Sequence, residues 1–444
     1  MRRIPLALAL AVLAPAPTLP AARAQEAATK AAPKVTIVRA GHLFDARAGA
    51  MLADRAIRVE GERIAAVGPA AEILKDAPKD AATVDLSGSY VLPGLIDCHT
   101  HVLLQGDITQ ADYDAQLLKE SIPNRAIRAT AAARTALSNG FTAIRDLETE
   151  GAMYADVDVK RAIANGVVPG PRMFVATRAF SATGMYPLLG YSWELKVPEG
   201  VQIVDGPDEI RKAVREQVKH GADWIKFYCD RKYYLEGGKL RSKVNFTEPE
   251  MQALVEEAHR LDRKVAAHAI GKDGIMAALR AGADTIEHGD GHDAESLDLM
   301  IQKGAYWCPT IYVTAYVADG RAAAGNPIWK AMLDLEKEAF GLAVRKGARI
   351  AYGTDAGGYA WTENQAKELS YMIRWGMTPA QALQSATTVA ADLLMAQKDL
   401  GAVEAGKYAD LIAVAKDPLA DIAELERVKF VMKNGAVFED ETSR

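Results

Sequence analysis

His99 and His101 stand two residues apart at the end of the run Val91-Leu-Pro-Gly-Leu-Ile-Asp-Cys-His-Thr-His101. Leu92, Leu95 and Ile96 read as a buried strand, bent at Pro93-Gly94. Side chains alternate along a strand, so the two imidazoles share one face. Converging there, they form half of a divalent-metal site; taken alone, they are equally a pair of half-buried histidines. Further candidates follow downstream. Lys226 lies in Asp223-Trp-Ile-Lys-Phe-Tyr228, His268 closes Val265-Ala-Ala-His268, His288 lies in Ile286-Glu-His-Gly289, and Asp355 follows Tyr352-Gly-Thr354. A lysine ammonium, with a pKa near ~10.4, is a poor ligand. Beside two cations its neutral amine is favoured, and that amine can take up carbon dioxide as a carbamate able to bridge two metals. On its own Lys226 reads as a buried stem with a paired charge. Four histidines and Asp355 at matching depths favour the metal reading.

The elements that must position these residues alternate between strand and helix. Strands are expected at Leu95–His101, Thr142–Asp146, Met173–Thr177, Trp224–Cys229, Val265–His268, Thr285–His288, Ala305–Ile311 and Ile350–Thr354. Amphipathic helices such as Ala126–Leu137, Asp208–His220, Glu248–Leu261 and Lys272–Ala281 lie between them. Eight such units predict a (β/α)8 TIM barrel over 91–396, and barrels of this kind carry their chemistry at the C-terminal strand ends. All six candidates meet that test. The flanks, 34–90 and 397–440, show short β-type alternation with a hairpin signal at Asn434-Gly435, and predict a small β-sandwich domain built from both termini.

Residues 1–24 carry Arg2 and Arg3, an apolar core from Ile4 to Leu13, and the small-x-small site Ala22-Arg-Ala24. This is a secretory signal peptide cleaved after Ala24, placing the protein in the periplasm or outside the cell. Cleavage removes three arginines and no acid, so the net charge of −5 becomes −8. A mildly acidic chain without basic runs is a poor nucleic-acid binder, and no long apolar segment follows to span a membrane. Cys98, Cys229 and Cys308 are an odd number in apolar runs and read as buried small hydrophobes rather than a disulfide framework.

Taken in order, these motifs and the segment Gly401-Ala-Val-Glu-Ala-Gly-Lys-Tyr-Ala-Asp-Leu-Ile412 resemble the amidohydrolase superfamily in its binuclear form. The chain is most similar to the imidazolonepropionase-like branch, which holds Xaa-Pro dipeptidases and carboxypeptidase-like or ochratoxin-hydrolysing members, and within it to the last of these. The resemblance implies two divalent metal ions, zinc being the expected one. His99, His101 and Asp355 would hold the first ion, His268 and His288 the second, with N6-carboxylated Lys226 and a hydroxide between them. Asp355 would shuttle the proton. A homo-oligomer, such as an octamer, is also implied. Tyr228, on the same strand face as Lys226, is either a donor to the developing oxyanion or a packed tyrosine.

The expected substrate is a small-molecule amide or dipeptide cleaved next to a free carboxylate. Cyclic-amide hydrolysis, deamination, or a barrel kept only for binding are the alternatives. The long stretch from Phe180 to Gly206 reads as a binding loop and holds Tyr186, Tyr191 and Trp193; Tyr359 and Trp361 follow Asp355. Arg178, Arg231 and Lys232 lie beyond strand ends, as carboxylate binders or solvated charges. His292 either touches substrate or sits in a solvated loop, and His42, His220 and His259 read as surface or capping residues. One departure stands out: many relatives carry Thr-Gly-Gly-His after the third strand, where this chain reads Thr183-Gly-Met-Tyr186.

Overall fold

The computed structural model describes residues 35–186 and 191–442. The expected export signal at 1–24 and residues 187–190 of the expected binding loop lie outside this range. Strands β1 (Val35–Asp45), β2 (Ala50–Glu60), β3 (Arg63–Pro69) and β4 (Ala82–Pro93) open the chain. They share one seven-stranded sheet with β16 (Leu411–Val414), β17 (Phe430–Lys433) and β18 (Ala436–Asp440), in the order β18-β17-β16-β4-β1-β2-β3. Both ends of the chain therefore build it, as expected. The sandwich is not seen among the described residues, because one sheet curls round instead of two stacking. The outer edge of β3 bonds to the segment that leads into β16: Ile64 N–H donates to the Lys407 carbonyl at 2.9 Å and Ala409 N–H to the Glu62 carbonyl at 2.9 Å. Strands from both ends of the sheet enclose one apolar cluster that includes Ile57, Val59, Leu411 and Phe430.

The interior is a mixed α/β arrangement of parallel strands. One sheet holds β5 (Leu95–Thr100), β6 (Phe141–Asp146) and β7 (Arg172–Val175). A second holds β8 (Phe180–Ser181), β9 (Gln202–Ile203), β10 (Trp224–Tyr228), β13 (Lys264–Ala269), β14 (Thr285–His288) and β15 (Tyr306–Cys308). A separate hairpin of β11 (Asp230–Glu236) and β12 (Lys239–Val244) follows β10. The eighth expected strand, Ile350–Thr354, is not a strand. Its residues bond on both sides, Ala351 N–H to the Trp307 carbonyl and Cys98 N–H to the Tyr352 carbonyl, each at 2.9 Å, but form only isolated bridges. The left-handed backbone at Asp355, φ 59°, turns the chain away before a ladder can form. Between β7 and β10 the main-chain link is Asp223 N–H to the Val175 carbonyl at 2.8 Å, so the described ladders do not run as one ring.

Helix Pro207–His220 shows how the outer layer is specified. Proline stands in its first turn, Gly221 closes it in the left-handed conformation, and Ile210, Ala213, Val214 and Gln217 are buried at helical spacing. The three cysteines are free and buried. No helix among the described residues is long and apolar enough to cross a membrane.

Candidate active site

The C-terminal ends of the parallel strands bring all six expected ligands together. His99 is the last residue but one of β5 with His101 just beyond the strand, Lys226 and Tyr228 share a face of β10, His268 is the last but one of β13, and His288 ends β14. Asp355 arrives from the segment beside β5, its N–H bonded to the His99 carbonyl at 2.8 Å. Nε2 of His99 and Nε2 of His101 are 3.3 Å apart; Asp355 Oδ1 stands 3.0 Å from the latter and 3.6 Å from the former. The His288 ring lies 4.9 Å from that of His99 and 4.5 Å from that of His268, centroid to centroid. His288 and Asp355 both hold positive φ, a strained conformation that persists where the surroundings enforce it.

A further layer fixes these rings. His99 Nδ1 meets Glu287 Oε2 at 2.8 Å, and Arg145 donates to the other Glu287 oxygen at 2.8 Å. His288 Nδ1 meets Thr310 Oγ1 at 2.9 Å. Asp97 accepts from the N–H groups of His99 and Thr354, each at 3.1 Å, and from Gln365 Nε2 at 2.6 Å. Such partners on Nδ1 leave Nε2 of His99 and His288 for a ligand. His268 differs: its Nε2 meets the Tyr233 hydroxyl at 2.7 Å, leaving Nδ1.

Electrostatics fits this donor set to a metal. Burial, and then the field of Lys226, hold the His99 pKa well below its usual value. Burial likewise lowers His268 well below its usual value and His288 to about 4, so these imidazoles are neutral, as metal ligands must be. Burial opposes charge on His101 too, but the hydrogen bond and field of Asp355 outweigh it and raise the pKa to about 10. The same contacts hold the Asp355 carboxyl well below its usual range in spite of burial. These two groups share one proton, and a metal cation in its place would take both side chains as ligands. Burial also lowers the Lys226 amine against the field of Glu287, Glu148 and Asp355, and its Nζ makes no hydrogen bond among the described residues; the Tyr228 ring centroid lies 5.7 Å away.

His101, Lys226, His268, His288 and Asp355 line a cavity of about 90 Å³, together with Arg231, Tyr186, Tyr233, Glu150 and Arg321. It adjoins a vestibule of about 760 Å³ that shares Tyr186, Arg231, Arg321 and Trp329 and adds Lys232, which is exposed. Arg231 is held over the rings of Tyr186 and Tyr228, and no protein acceptor bonds its guanidinium among the described residues. The Tyr228 hydroxyl donates to Glu148 Oε2 at 2.5 Å, so its proton is engaged rather than free for an oxyanion.

Other expected substrate residues lie elsewhere. Arg178 reaches the Val201 carbonyl at 3.5 Å and lines neither space. Tyr359 is fully buried, packed edge-on to Tyr312 at 5.0 Å. His292 lies in a separate groove, its ring 4.8 Å from that of Trp307 and its Nδ1 3.0 Å from Ser296 Oγ. Trp193 is 91% exposed. Sequence reasoning missed Glu148 and Glu150, although both directly follow β6 and the strand-end rule points to them. It also missed Glu287, Asp97, Arg145 and Tyr233.

A family model described as the amidohydrolase family matches residues 90–438. The chain belongs to that family. It is 32% identical over 434 residues to ochratoxinase from Aspergillus niger, covering 91% of this chain and 87% of that protein. Among solved structures it is similar to a Xaa-Pro dipeptidase with bound methionine, with TM-score 0.82 and 33% identity, covering 91% of this chain and all of that one. It is also similar to the A. niger ochratoxinase structure, with TM-score 0.77 and 30% identity over 92% of this chain and 96% of the other. The protein is therefore a hydrolase, and His99, His101 and Asp355 form one of its residue groups suited to a metal ion.

Proposed function

We propose that this amidohydrolase is exported, binds two divalent metals, and cleaves an amide bond next to a free carboxylate. N-acyl amino acids, dipeptides and ochratoxin-like amides of phenylalanine are the substrates envisaged. The observation that carries the reading is Arg231, a half-buried guanidinium with no protein acceptor among the described residues, lining the same cavity as Lys226, His268, His288 and Asp355. A fork of uncommitted donors beside the reacting centre is suited to a carboxylate. The likeness to ochratoxinase and to a Xaa-Pro dipeptidase supports the same substrate class.

In this reading the parallel strands are a (β/α)8 barrel over 91–396, and the terminal sheet over 34–90 and 397–440 supports it. His99, His101 and Asp355 would hold one zinc ion, His268 and His288 the other, with Lys226 carboxylated between them. Bound there, the ions supply Lewis acidity towards water and the scissile carbonyl. Asp355 accepts the proton from the attacking water at its carboxylate and delivers it to the leaving amine nitrogen. Arg231 binds and orients the substrate carboxylate, and the small buried cavity excludes bulk water.

The test is elemental analysis together with rates on paired substrates. Zinc-restored enzyme is expected to hold two ions per chain and to prefer N-acyl-phenylalanine over its C-terminal amide strongly. One ion or none would overturn the binuclear site. Equal rates for acid and amide would point to an endo-acting or cyclic-amide hydrolase.

A further inference from the structure

Tyr186 is held more tightly than the hydrolysis scheme requires. Its hydroxyl donates to Glu150 Oε2 at 2.9 Å and meets the Tyr113 hydroxyl at 2.9 Å; Tyr113 donates to the same Glu150 oxygen at 2.7 Å. The chain returns over this cluster at Gly200, where a Cβ would collide with the Tyr113 hydroxyl and come within 2.8 Å of the Tyr186 ring. Tied at the hydroxyl and covered at the edge, the ring is fixed. Its face meets Arg231, whose guanidinium carbon stands 4.1 Å from the Tyr186 centroid and 4.7 Å from that of Tyr228. The two rings are tilted by 56° with centroids 4.8 Å apart, so they form a notch rather than a sandwich. Tyr228 is tied in the same way, through its hydroxyl to Glu148.

A long arginine side chain without a hydrogen bond ordinarily samples many rotamers. Two anchored aromatic faces remove that freedom by cation–π attraction while leaving every N–H donor available. We propose that Tyr186 is a specificity-determining positioning residue. By seating Arg231 in the notch it presents the guanidinium fork to the substrate carboxylate and sets the preference for free acids over amides. This rests on the carboxylate reading given above. Because the effect lies in binding, it belongs mainly to KM rather than to kcat.

The experiment measures kcat and KM for N-acyl-phenylalanine and its C-terminal amide on zinc-loaded wild type, Tyr186→Leu and Tyr186→Phe. Calorimetry of phenylalanine binding to metal-free protein supplies a readout independent of turnover. Tyr186→Leu removes the aromatic face and is expected to raise KM for the acid about tenfold, with a matching fall in the acid-to-amide ratio and in phenylalanine affinity. Tyr186→Phe keeps the face and should retain most of that ratio. If the leucine variant does not fold, Tyr186→Met fills a similar volume without a ring and gives the same comparison. A leucine or methionine variant with the wild-type ratio overturns the proposal. So does an equal loss of rate on acid and amide, the mark of a residue that only holds the loop. A wild type that does not distinguish acid from amide sinks the carboxylate reading itself, and this inference with it.

Discussion

Asp355 stands where a carboxylate can move a proton, with Oδ1 3.0 Å from His101 Nε2 and its half-buried side chain lining the cavity. Asparagine has the same shape without the basicity. Asp355→Asn is expected to lower kcat by about 10²–10⁴-fold with a native circular dichroism spectrum. Near-normal turnover would show that the proton travels by another route. In the binuclear reading Lys226 offers a second test at this scale, because alanine would remove the bridging anion and leave two cations repelling each other. Lys226→Ala should lose activity and at least one metal, with partial rescue by acetate or propionate but not by alkyl amines. Full activity without additive would make Lys226 a packed lysine. The four histidines were legible in the sequence because each lies at or just past the end of an apolar run, and Lys226 and Asp355 were picked out only in their company. Their partners were not: Glu287 meets His99 from 188 residues away, and no local spacing encodes that pairing. Tyr228, Arg231 and Tyr186 could be picked out as residue types, but only their distances show which hydroxyl is engaged and which guanidinium has no acceptor among the described residues.

At the scale of elements, helix Glu248–Arg260 docks on helix Pro207–His220 through Glu257, which accepts from Arg215 at 2.6 Å and Arg260 at 2.5 Å. The Arg260 and Arg215 hydrogen bonds hold the Glu257 carboxyl down at about 2, against an ordinary 4.5. A depressed folded-state pKa stabilises the fold above pH 4.5 and loses that contribution as pH falls towards 2. Glu257→Gln should therefore cost about 1–2 kcal/mol at neutral pH, both guanidiniums being more than half exposed, and flatten the stability curve between those two pH values. Urea titrations across that range check it; an unchanged acid limb would mean the pair is idle. The helices were the most legible elements, since their apolar period runs over several turns, and Lys272–Ala281 matches its expected ends. Ile350–Thr354 looked like a strand because its apolar run is real. Sequence could not show that Gly353 lies so close under Cys308 and the His99 Cβ that the segment serves to seat His99 and Asp355 rather than extend a ladder.

For the whole molecule, the terminal sheet and the site are parts of one continuous strand path. β4 passes through Gly94 straight into β5, which ends at the metal-type histidines. Gly94 N–H is bonded to the Asp410 carbonyl at 2.8 Å, and a Cβ there would collide with Thr142 on β6. On its other side β4 pairs with β16, Val91 opposite Ala413 and Leu92 opposite Ile412, all fully buried. Melting the terminal sheet would strip the base of β5 of these bonds and open its apolar surface to water, a cost that couples it to the site. Residues 35–442 should therefore unfold in one cooperative transition. Zinc at about 100 times its dissociation constant should stabilise that single transition by about 2.7 kcal/mol, provided the unfolded chain does not bind it. Calorimetry, circular dichroism and metal release followed on one sample should give coincident midpoints. Deleting 411–444 should yield insoluble protein rather than a metal-binding barrel, because it leaves β4 as an apolar unpaired edge. Two well-separated transitions, or a soluble truncated chain that still binds zinc, would show that the sheet is an appendage and that β5 is held by the parallel strands alone.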